Sequence, residues 1–465
     1  MSDASKPKSD AADAATLATA TAKNDRHLNG YSAPPSLTPV FVALTASALW
    51  LNEYPLHWLG IKHVFVLAAM AFLPIAHEQM QPFCCTFSEI CVLFVQVAWA
   101  MVRVIVQYML RGCKPKFPEW TLAYELFLAK SFVTGEFGGA NVIKPNNVVV
   151  YRRLFESGAD VMGWVYCRYY EAATEFFQHN GLEHMWVKSA TASSTSQSST
   201  ATTKRVVVLY YHGGGYVFGS PRSYAYYLVR VRDHVAKAIA KVQRDNGEAD
   251  QPVQVDVLVA TYRKIPEHRY PVPVDDSLAM YNYLVNEEKV SPSQIVVAGD
   301  SAAGGLVMSV LLRLRNAKRA MPVASIVVSP WGNMLADVAR AENCFLPKTI
   351  VDSFRDHCLV AALAADPANP EAAMESLQEA MSAKADLTGL PPLFILAGEF
   401  DVLYQQSLSL AENAKRHGVD VELDVHKHMP HVFCFLPGVM MPQSEVGIAN
   451  LAAFAAKKLI RVREA

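Results

Sequence analysis

The stretch Val296-Val297-Ala298-Gly299-Asp300-Ser301-Ala302-Ala303-Gly304-Gly305-Leu306 decides the fold of this chain. It reads as a buried strand, then a turn that carries one serine between small residues, then a helix. A serine in a sharp strand-to-helix turn can expose its hydroxyl only if its neighbours have almost no side chain. The pattern therefore predicts a nucleophile elbow, with Ser301 as the candidate nucleophile and Asp300 beside it as a structural residue.

A second glycine-rich block stands upstream, Tyr210-Tyr211-His212-Gly213-Gly214-Gly215-Tyr216. A strand that runs into three glycines leaves backbone N–H groups uncovered, and an oxyanion hole is built from such groups. An ordinary helix N-cap would explain Ser301 alone but not the three glycines at another strand end. The two blocks together favour acyl-transfer chemistry.

Apolar strands alternate with amphipathic helices through the C-terminal half of the chain, which predicts a mostly parallel sheet covered by helices on both faces. Ligands in such sheets bind at the carboxyl ends of the strands, where both glycine blocks lie. The expected strands are 205–211, 253–261, 295–298, 324–329, 393–396 and 421–425, and the expected helices are 224–243, 274–288, 304–318, 405–417 and 443–458.

Composition excludes several classes of protein. The chain has 465 residues and a net charge of -1, which gives no reason to expect a nucleic-acid partner. Its eight cysteines are scattered, with no CxxC pair or zinc spacing. We expect free thiols, no metal site and no organic cofactor.

The N-terminal region is expected to contact a membrane. Residues 1–36 are polar and predict a disordered tail, whereas 37–112 contains three apolar runs, at 37–51, 58–76 and 90–110. The third is about the 20 residues needed to span a bilayer. A helix that packs on the catalytic domain or lies on the membrane surface is the alternative, and the number and orientation of spans stay open.

Two further segments precede the catalytic core. Residues 113–181 are helical in pattern and rich in aromatic side chains, which predicts a helical cap or lid. The catalytic domain is expected over 182–465, interrupted by a Ser/Thr/Ala-rich low-complexity loop at 189–203.

A serine nucleophile needs a base, and the base needs a carboxylate that orients it. The histidines at 426, 428 and 431 compete for the role of base, and Glu399 competes with Asp401 for the role of acid. Both groups follow the serine, as the chain order of this fold requires.

The chain resembles the hormone-sensitive-lipase family of α/β-hydrolases, which includes arylacetamide deacetylases and steryl acetyl hydrolases. The resemblance extends from about Val206 to the C-terminus. His212–Gly215 matches the family's HGGG block, Tyr262–His268 resembles YRLAPEH, and Gly299–Gly304 resembles GDSAGG. Asp401-Val402-Leu403 and His431-Val432-Phe433 resemble the acid and histidine blocks.

The resemblance implies an α/β-hydrolase fold and a Ser301–His431–Asp401 triad. It also implies that the backbone N–H groups of Gly214, Gly215 and Ala302 hold the oxyanion, while His212 and Gly213 support the loop. One departure stands in the elbow, where Ala303 replaces the family's glycine and is expected to crowd the turn.

The expected function is therefore that of a serine carboxylesterase for hydrophobic, short-acyl esters of lipid or steryl acetate type. An amidase or deacetylase with the same triad is one alternative. A catalytically silent receptor, or a membrane scaffold that uses the domain only for binding, is another. The expected partners are a small hydrophobic ester and a membrane, with the endoplasmic reticulum as the expected location.

Overall fold

The computed structural model describes residues 87–189, 204–247, 252–365, 377 and 380–460. The tail at 1–36, the apolar runs at 37–51 and 58–76, and all but the first residue of the low-complexity loop lie outside these ranges. The described parts of 77–177 and 184–465 form one compact unit.

Eight strands form one sheet in the order β1-β2-β4-β3-β5-β6-β7-β8. Strand β2 runs antiparallel to β4, and the pairs from β4 through β3, β5, β6 and β7 to β8 are parallel. The strands are β1 (Ala172–His179), β2 (Leu182–Ser189), β3 (Lys204–Tyr211), β4 (Val253–Ala260), β5 (Ile295–Asp300), β6 (Ala324–Val328), β7 (Leu393–Gly398) and β8 (Val421–His426).

Helices flank this sheet and precede it. They are α1 (Phe87–Leu110), α2 (Leu122–Val142), α3 (Pro145–Tyr169), α4 (Pro221–Asp245), α5 (Val272–Asn286), α6 (Ala302–Asn316), α7 (Lys348–Ala365), α8 (Tyr404–Arg416) and α9 (Gln443–Leu459). Helix α4 begins at Pro221, three residues before the expected start at 224. Ser220 accepts a hydrogen bond from the backbone N–H of Ser223, and Pro221 follows as the first helical residue.

The sheet is buried on both faces, because successive residues of a strand point to opposite sides. In β3, Val207 and Leu209 belong to one apolar cluster, whereas Val206 and Val208 belong to the other. Parallel strands that are covered on both faces read as continuous apolar runs, as these do. The predicted α/β-hydrolase fold with a mostly parallel, helix-covered sheet is confirmed.

Two elements differ from the expected pattern. Residues Ala172–His179, inside the segment expected to be a helical cap, form strand β1. The chain reverses after it at Asn180 and Gly181, which both have positive φ and are the residue types that adopt this conformation most readily. Helix α7, which lies between β6 and β7, is an additional element that was not among the expected ones.

Helix α1 leaves most of its apolar surface uncovered. Ile90 and Leu93 pack with Val97 against Val133 and Phe137 of α2. Its segment Ser88–Leu110 is long and apolar enough to cross a membrane, and 17% of its apolar window is buried. The large exposed apolar side chains of α1 are Val92, Phe94, Val95, Trp99, Val102, Ile105, Val106, Met109 and Leu110.

Gly398 provides a test of how closely β7 packs against the loop that follows β8. A Cβ atom at Gly398 would lie 2.6 Å from the carbonyl oxygen of Pro430 and closer still to that of Met429. Because both neighbours are backbone, we expect Gly398→Ala to lower the free energy of unfolding by about 1–3 kcal/mol in urea denaturation.

Gly332→Ala is the matched control, because the nearest atom to its added Cβ is 3.5 Å away, on Ser382. We expect its effect to stay within about 0.5 kcal/mol. Equal unfolding midpoints and slopes for the two variants would contradict the close packing at Gly398.

Candidate active site

The two glycine-rich blocks lie side by side at one edge of the sheet. Strands β3 and β5 are neighbours and parallel, and their register pairs Tyr211 with Gly299. The chain therefore leaves β3 into His212–Gly215 at the same level at which it leaves β5 into the serine turn. The carboxyl ends of the parallel strands thus bring the blocks together, as expected for a site in this fold.

Ser301 occupies a strained backbone conformation between β5 and α6. Its φ of 54° and ψ of -124° are unusual for a residue with a side chain. Hydrogen bonds on both sides hold it there: its N–H donates to Val328 O over 2.8 Å, and the Trp331 N–H donates to Ser301 O over 2.8 Å. Strain that is fixed by its surroundings is typical of a functional site.

The turn accommodates Ala303 because Gly299 has no side chain. A Cβ at Gly299 would lie 2.7 Å from the carbonyl oxygen of Ala303 and 3.1 Å from its methyl group. Ala303 is fully buried in the turn. The methyl group therefore occupies space that Gly299 leaves, and the structure keeps the elbow geometry with alanine at this position.

His431 lies between Ser301 and Asp401. Its Nδ1 is 2.8 Å from Asp401 Oδ1, and its Nε2 is 3.0 Å from Ser301 Oγ. With Nδ1–H donating to the carboxylate, Nε2 accepts from the serine hydroxyl. All three residues are buried. This is the arrangement in which an imidazole can take the proton of a serine hydroxyl.

Hydrogen bonds from backbone N–H groups hold Asp401 and the loop that carries His431. Asp401 Oδ1 also accepts from the backbone N–H of Leu403 over 2.8 Å. Its buried Oδ2 has no hydrogen-bond partner among the described residues. The loop that carries His431 is held next to β6, because the N–H of Val432 donates to Ser329 Oγ over 2.9 Å.

The competing side chains are engaged elsewhere. His426 Nε2 lies 2.9 Å from Asp424 Oδ2, and His428 Nδ1 lies 2.9 Å from a carboxylate oxygen of Glu119. Glu399 accepts from the backbone N–H of His428 over 3.0 Å. The structure therefore brings His431 and Asp401, rather than these alternatives, to the serine.

The glycine loop adopts conformations that require glycine. Gly214 has a φ of 114° and Gly215 a φ of 63°, both in the region that side chains disfavour. Ala302 opens helix α6, and the first N–H groups of a helix have no intrahelical acceptor. The three N–H groups predicted for an oxyanion hole therefore lie in two places. Those of Gly214 and Gly215 are in the loop after β3, and that of Ala302 is at the start of α6, after the neighbouring strand β5.

Asp300 joins the glycine loop to the serine turn. Its Oδ1 accepts from the hydroxyl of Tyr210 over 2.8 Å and from the N–H of Gly213 over 3.1 Å. Its Oδ2 accepts from the hydroxyl of Tyr224 over 2.9 Å. Burial raises the pKa of Asp300, while these donors oppose the rise. Both carboxylate oxygens are thus engaged, and one of them holds the backbone of Gly213.

His212 supports the glycine loop and does not face the serine. Its ring stacks on Tyr262 with centroids 4.5 Å apart, and its Nδ1 lies 2.9 Å from Gly213 O. Burial, and then the nearby charge of Lys264, lowers the pKa of His212 to about 3. The imidazole is therefore neutral near pH 7.

Aromatic side chains pack next to the glycine loop and His431. The Phe354 ring of α7 lies against Gly215, where an added Cβ would be 2.5 Å from ring atom Cε2. Phe354 also packs edge-on against Phe218, with centroids 5.6 Å apart. The Phe345 ring lies 6.5 Å from that of His431. These contacts could not be found from the motifs, because both phenylalanines lie outside them.

Residues before the sheet also reach the site. Arg152 of α3 is buried and donates to Val217 O over 2.7 Å and to Ile265 O over 3.0 Å. The same guanidinium forms two hydrogen bonds with Glu267. A polar network of Arg263, Glu267 and Asp276 is expected from sequence. Arg263 does bind Asp276, with a shortest contact of 2.7 Å, whereas Glu267 binds Arg152 instead.

The segment around Trp120 contacts the loop that carries His431. Trp120 Nε1 donates to His428 O over 2.7 Å, and the hydroxyl of Thr121 donates to Met440 O over 2.6 Å.

In the part of the chain that the structure describes, no group of three or more His, Cys, Asp or Glu side chains could hold a metal ion.

Comparison with known proteins agrees with this geometry. A family model described as alpha/beta hydrolase fold matches residues 208–435. An acetyl-hydrolase of Streptomyces hygroscopicus is 30% identical over 244 residues, which cover 51% of this chain and 71% of that protein. The chain belongs to the hormone-sensitive-lipase-like family of α/β-hydrolases. The family places it among the serine ester hydrolases.

Two further proteins are similar to this chain. Carboxylesterase NlhH of Mycobacterium tuberculosis is 30% identical over 219 residues, which cover 43% of this chain and 63% of that protein. A solved esterase from the bacterial hormone-sensitive lipase family has a TM-score of 0.52 and 27% identity, with 78% of this chain and 98% of that chain covered. The matched region thus covers a little under two thirds of the length of NlhH.

Proposed function

We propose that this α/β-hydrolase is a serine carboxylesterase in which Ser301, His431 and Asp401 form the catalytic triad. The hydrogen-bonded line from Ser301 Oγ through His431 to Asp401 Oδ1 is the observation that carries the proposal. A catalytically silent receptor only has to bind its ligand, so it would not need a histidine that accepts a hydrogen bond from this serine. The strained turn that holds Ser301 supports the same proposal.

In the proposed reaction, His431 removes the proton of Ser301 as the serine oxygen attacks the ester carbonyl. Asp401 holds the ring in the tautomer that leaves Nε2 free to accept, and it stabilises the imidazolium that forms. The negative charge that develops on the carbonyl oxygen is held by the N–H groups of Gly214, Gly215 and Ala302. One such donor contributes about 10²–10³ in rate.

Collapse of the tetrahedral intermediate releases the alcohol and leaves an acyl-serine. His431 gives its proton to the departing alkoxide oxygen and then takes one from the water that attacks the acyl group. A second oxyanion forms in the same backbone site. Its collapse breaks the bond to Ser301 Oγ and releases the carboxylic acid, while His431 returns its proton to Oγ. The proton transfers of this scheme use the hydrogen bonds that already join Ser301, His431 and Asp401.

A short acyl group suits the space next to the glycine loop. Phe354 covers Gly215, and Phe345 lies beside His431, so large apolar rings stand near both sides of the proposed reacting carbonyl. The similarity to a protein named acetyl-hydrolase supports the same size of acyl group. We therefore assign short-acyl esters of hydrophobic alcohols, of lipid or steryl acetate type, as the substrate class.

A membrane is the proposed partner of helix α1. Its exposed face carries mostly apolar side chains, including Trp99, and such a surface is costly in water. Of the basic residues that follow the helix, Lys114 is exposed and can contact lipid headgroups, whereas Arg111 is paired with Glu125 and Lys116 donates to Asn343. The endoplasmic reticulum as the compartment stays a prediction.

Hydrolysis of p-nitrophenyl esters from acetate to palmitate tests the reaction class. We expect the rate to peak at short chains and to fall by about 10⁴-fold or more in Ser301→Ala, because the nucleophile is lost. Substitution of a neighbouring serine that is not placed in the triad, Ser309→Ala, provides the control for folding. Activity that survives in Ser301→Ala would show that another residue is the nucleophile.

Phe354→Ala tests the limit on acyl length. Removing the ring opens space beside Gly215, so the ratio of kcat/KM for octanoate to that for acetate should rise about 10-fold or more. Phe454→Ala, a buried phenylalanine of α9 that packs on Phe394, controls for a general loss of packing. An unchanged chain-length profile in Phe354→Ala would exclude this ring as the wall of the acyl site.

Deletion of residues 1–112 tests the membrane partner. The truncated chain should stay in the supernatant when lipid vesicles are sedimented, whereas deletion of 1–36 alone should leave the protein bound. Hydrolysis of p-nitrophenyl acetate by both forms shows that each is folded. A truncated chain that still sediments with vesicles would place the membrane contact elsewhere.

A further inference from the structure

One peptide group decides whether the glycine loop can stabilise an oxyanion. The carbonyl of Gly213 and the N–H of Gly214 belong to the same planar unit and point in opposite directions. Glycine allows such a unit to turn over at little steric cost. A turned peptide would direct the Gly213 carbonyl to the place where the proposed Gly214 N–H donor is needed.

His212 holds this peptide in one orientation. Its Nδ1 lies 2.9 Å from Gly213 O, and a carbonyl oxygen can only accept, so Nδ1 carries the proton. Because the ring is neutral, its Nε2 must then be an acceptor. The group that approaches Nε2 therefore has to donate, and it thereby determines the tautomer of His212.

Thr261, directly after β4, is that group. Its Oγ1 lies 3.0 Å from His212 Nε2, and Lys264 Nζ lies 3.3 Å from the same Oγ1. An ammonium has only donors, so the threonine oxygen accepts from Lys264 and directs its own proton to the imidazole. The hydrogen bonds run in one direction: Lys264 to Thr261, Thr261 to His212, and His212 to the Gly213 carbonyl.

Lys264 departs from the family block. It stands where the family block YRLAPEH has leucine, which has no donor. Charged side chains act on it: Arg152 and Glu156 from α3, and Glu267 three residues further along the loop. The ammonium is thus balanced by charge and directed toward the hydroxyl of Thr261.

We propose that Lys264 is a positioning residue for ester hydrolysis, which acts through Thr261 and His212 to keep the Gly213–Gly214 peptide with its N–H available to the oxyanion. The proposal rests on the proposed function, because it assigns Gly214 as an oxyanion donor. Lys264 touches no reacting atom, and its effect is expected on kcat rather than on substrate binding.

The charge of Lys264 gives the proposal a pH signature. Burial, and then Arg152, lowers the pKa of Lys264 to about 8, while Glu156, Glu267 and Asp276 oppose the shift. His212, the other titratable group on the chain of hydrogen bonds, stays neutral throughout this range. As pH rises through about 8, Lys264 loses its proton and becomes a weaker hydrogen-bond donor. We therefore expect kcat to decrease above about pH 8.

Steady-state hydrolysis of p-nitrophenyl acetate by the full chain tests the proposal with Lys264→Met, Thr261→Val and the double variant. We expect each single variant to lose about 3- to 10-fold in kcat, the effect of one lost hydrogen bond, with KM unchanged. The double variant should lose no more than Thr261→Val alone, because both act through one chain. Thr261→Ser, which keeps the hydroxyl, should restore most of the rate.

The pH profile and the folding controls complete the test. Lys264→Met should lack the decrease in kcat near pH 8 that the unmodified chain shows. Full kcat in Lys264→Met would overturn the proposal. It would also be overturned if the losses in kcat of the two single variants add in the double variant and parallel a decrease in Tm. If Thr261→Val does not fold, Lys264→Met and its pH profile decide.

Ser301→Ala separates this proposal from the proposed function. Activity that persists in Ser301→Ala refutes the triad itself. Loss of activity in Ser301→Ala together with full kcat and an unchanged alkaline limb in Lys264→Met refutes only the role of Lys264.

Discussion

The carboxylate of Asp300 is the interaction on which the rest of the site depends. It lies at the end of β5, fully enclosed, and binds the backbone N–H of Gly213 at the end of β3. A buried carboxylate is costly unless its oxygens are satisfied, and Tyr210 and Tyr224 supply the remaining donors. The glycine loop and the serine turn are therefore held by one group, and a change in either displaces the other.

Backbone strain and backbone hydrogen bonds offset each other around this group. Ser301 keeps a φ of 54° because Val328 and Trp331 hold both sides of its peptide. The glycine loop is likewise held at Gly213, whose N–H donates to Asp300 and whose carbonyl oxygen lies 2.9 Å from His212 Nδ1. A site prepared in this way needs little reorganisation when charge develops, which is where electrostatic catalysis gains most.

The sequence predicts those parts of the molecule that are local in the chain. The alternation of apolar runs predicts the sheet and its helices, and glycine at 213–215 and 299 predicts the two turns. Gly214 and Gly215 have positive φ, and an added Cβ at Gly213 or Gly299 would collide with a backbone carbonyl oxygen. Residue type alone leaves His426, His428 and His431 as candidate bases, and the family resemblance favours His431. The structure adds the physical reason, since the other two histidines bind Asp424 and Glu119.

Other contributors have no local signature at all. Arg152 reaches the loops from α3, and Phe354 covers Gly215 from α7, an element that no motif marks. Their roles arise from the packing of distant segments, which the periodicity of one segment cannot specify. The ring that covers Gly215 and the contacts of Arg152 with the loops are therefore visible only in the structure.

Two histidines in the same site show how environment assigns roles to one residue type. His431 lies against the carboxylate of Asp401, which stabilises a positive ring, so it can carry a proton during the proposed reaction. His212 has only neutral hydrogen-bonding partners and a lysine nearby, and its pKa falls to about 3. It cannot act as a base with a useful charge change near neutral pH, but a permanently neutral ring with a fixed tautomer is what holding the Gly213 carbonyl requires.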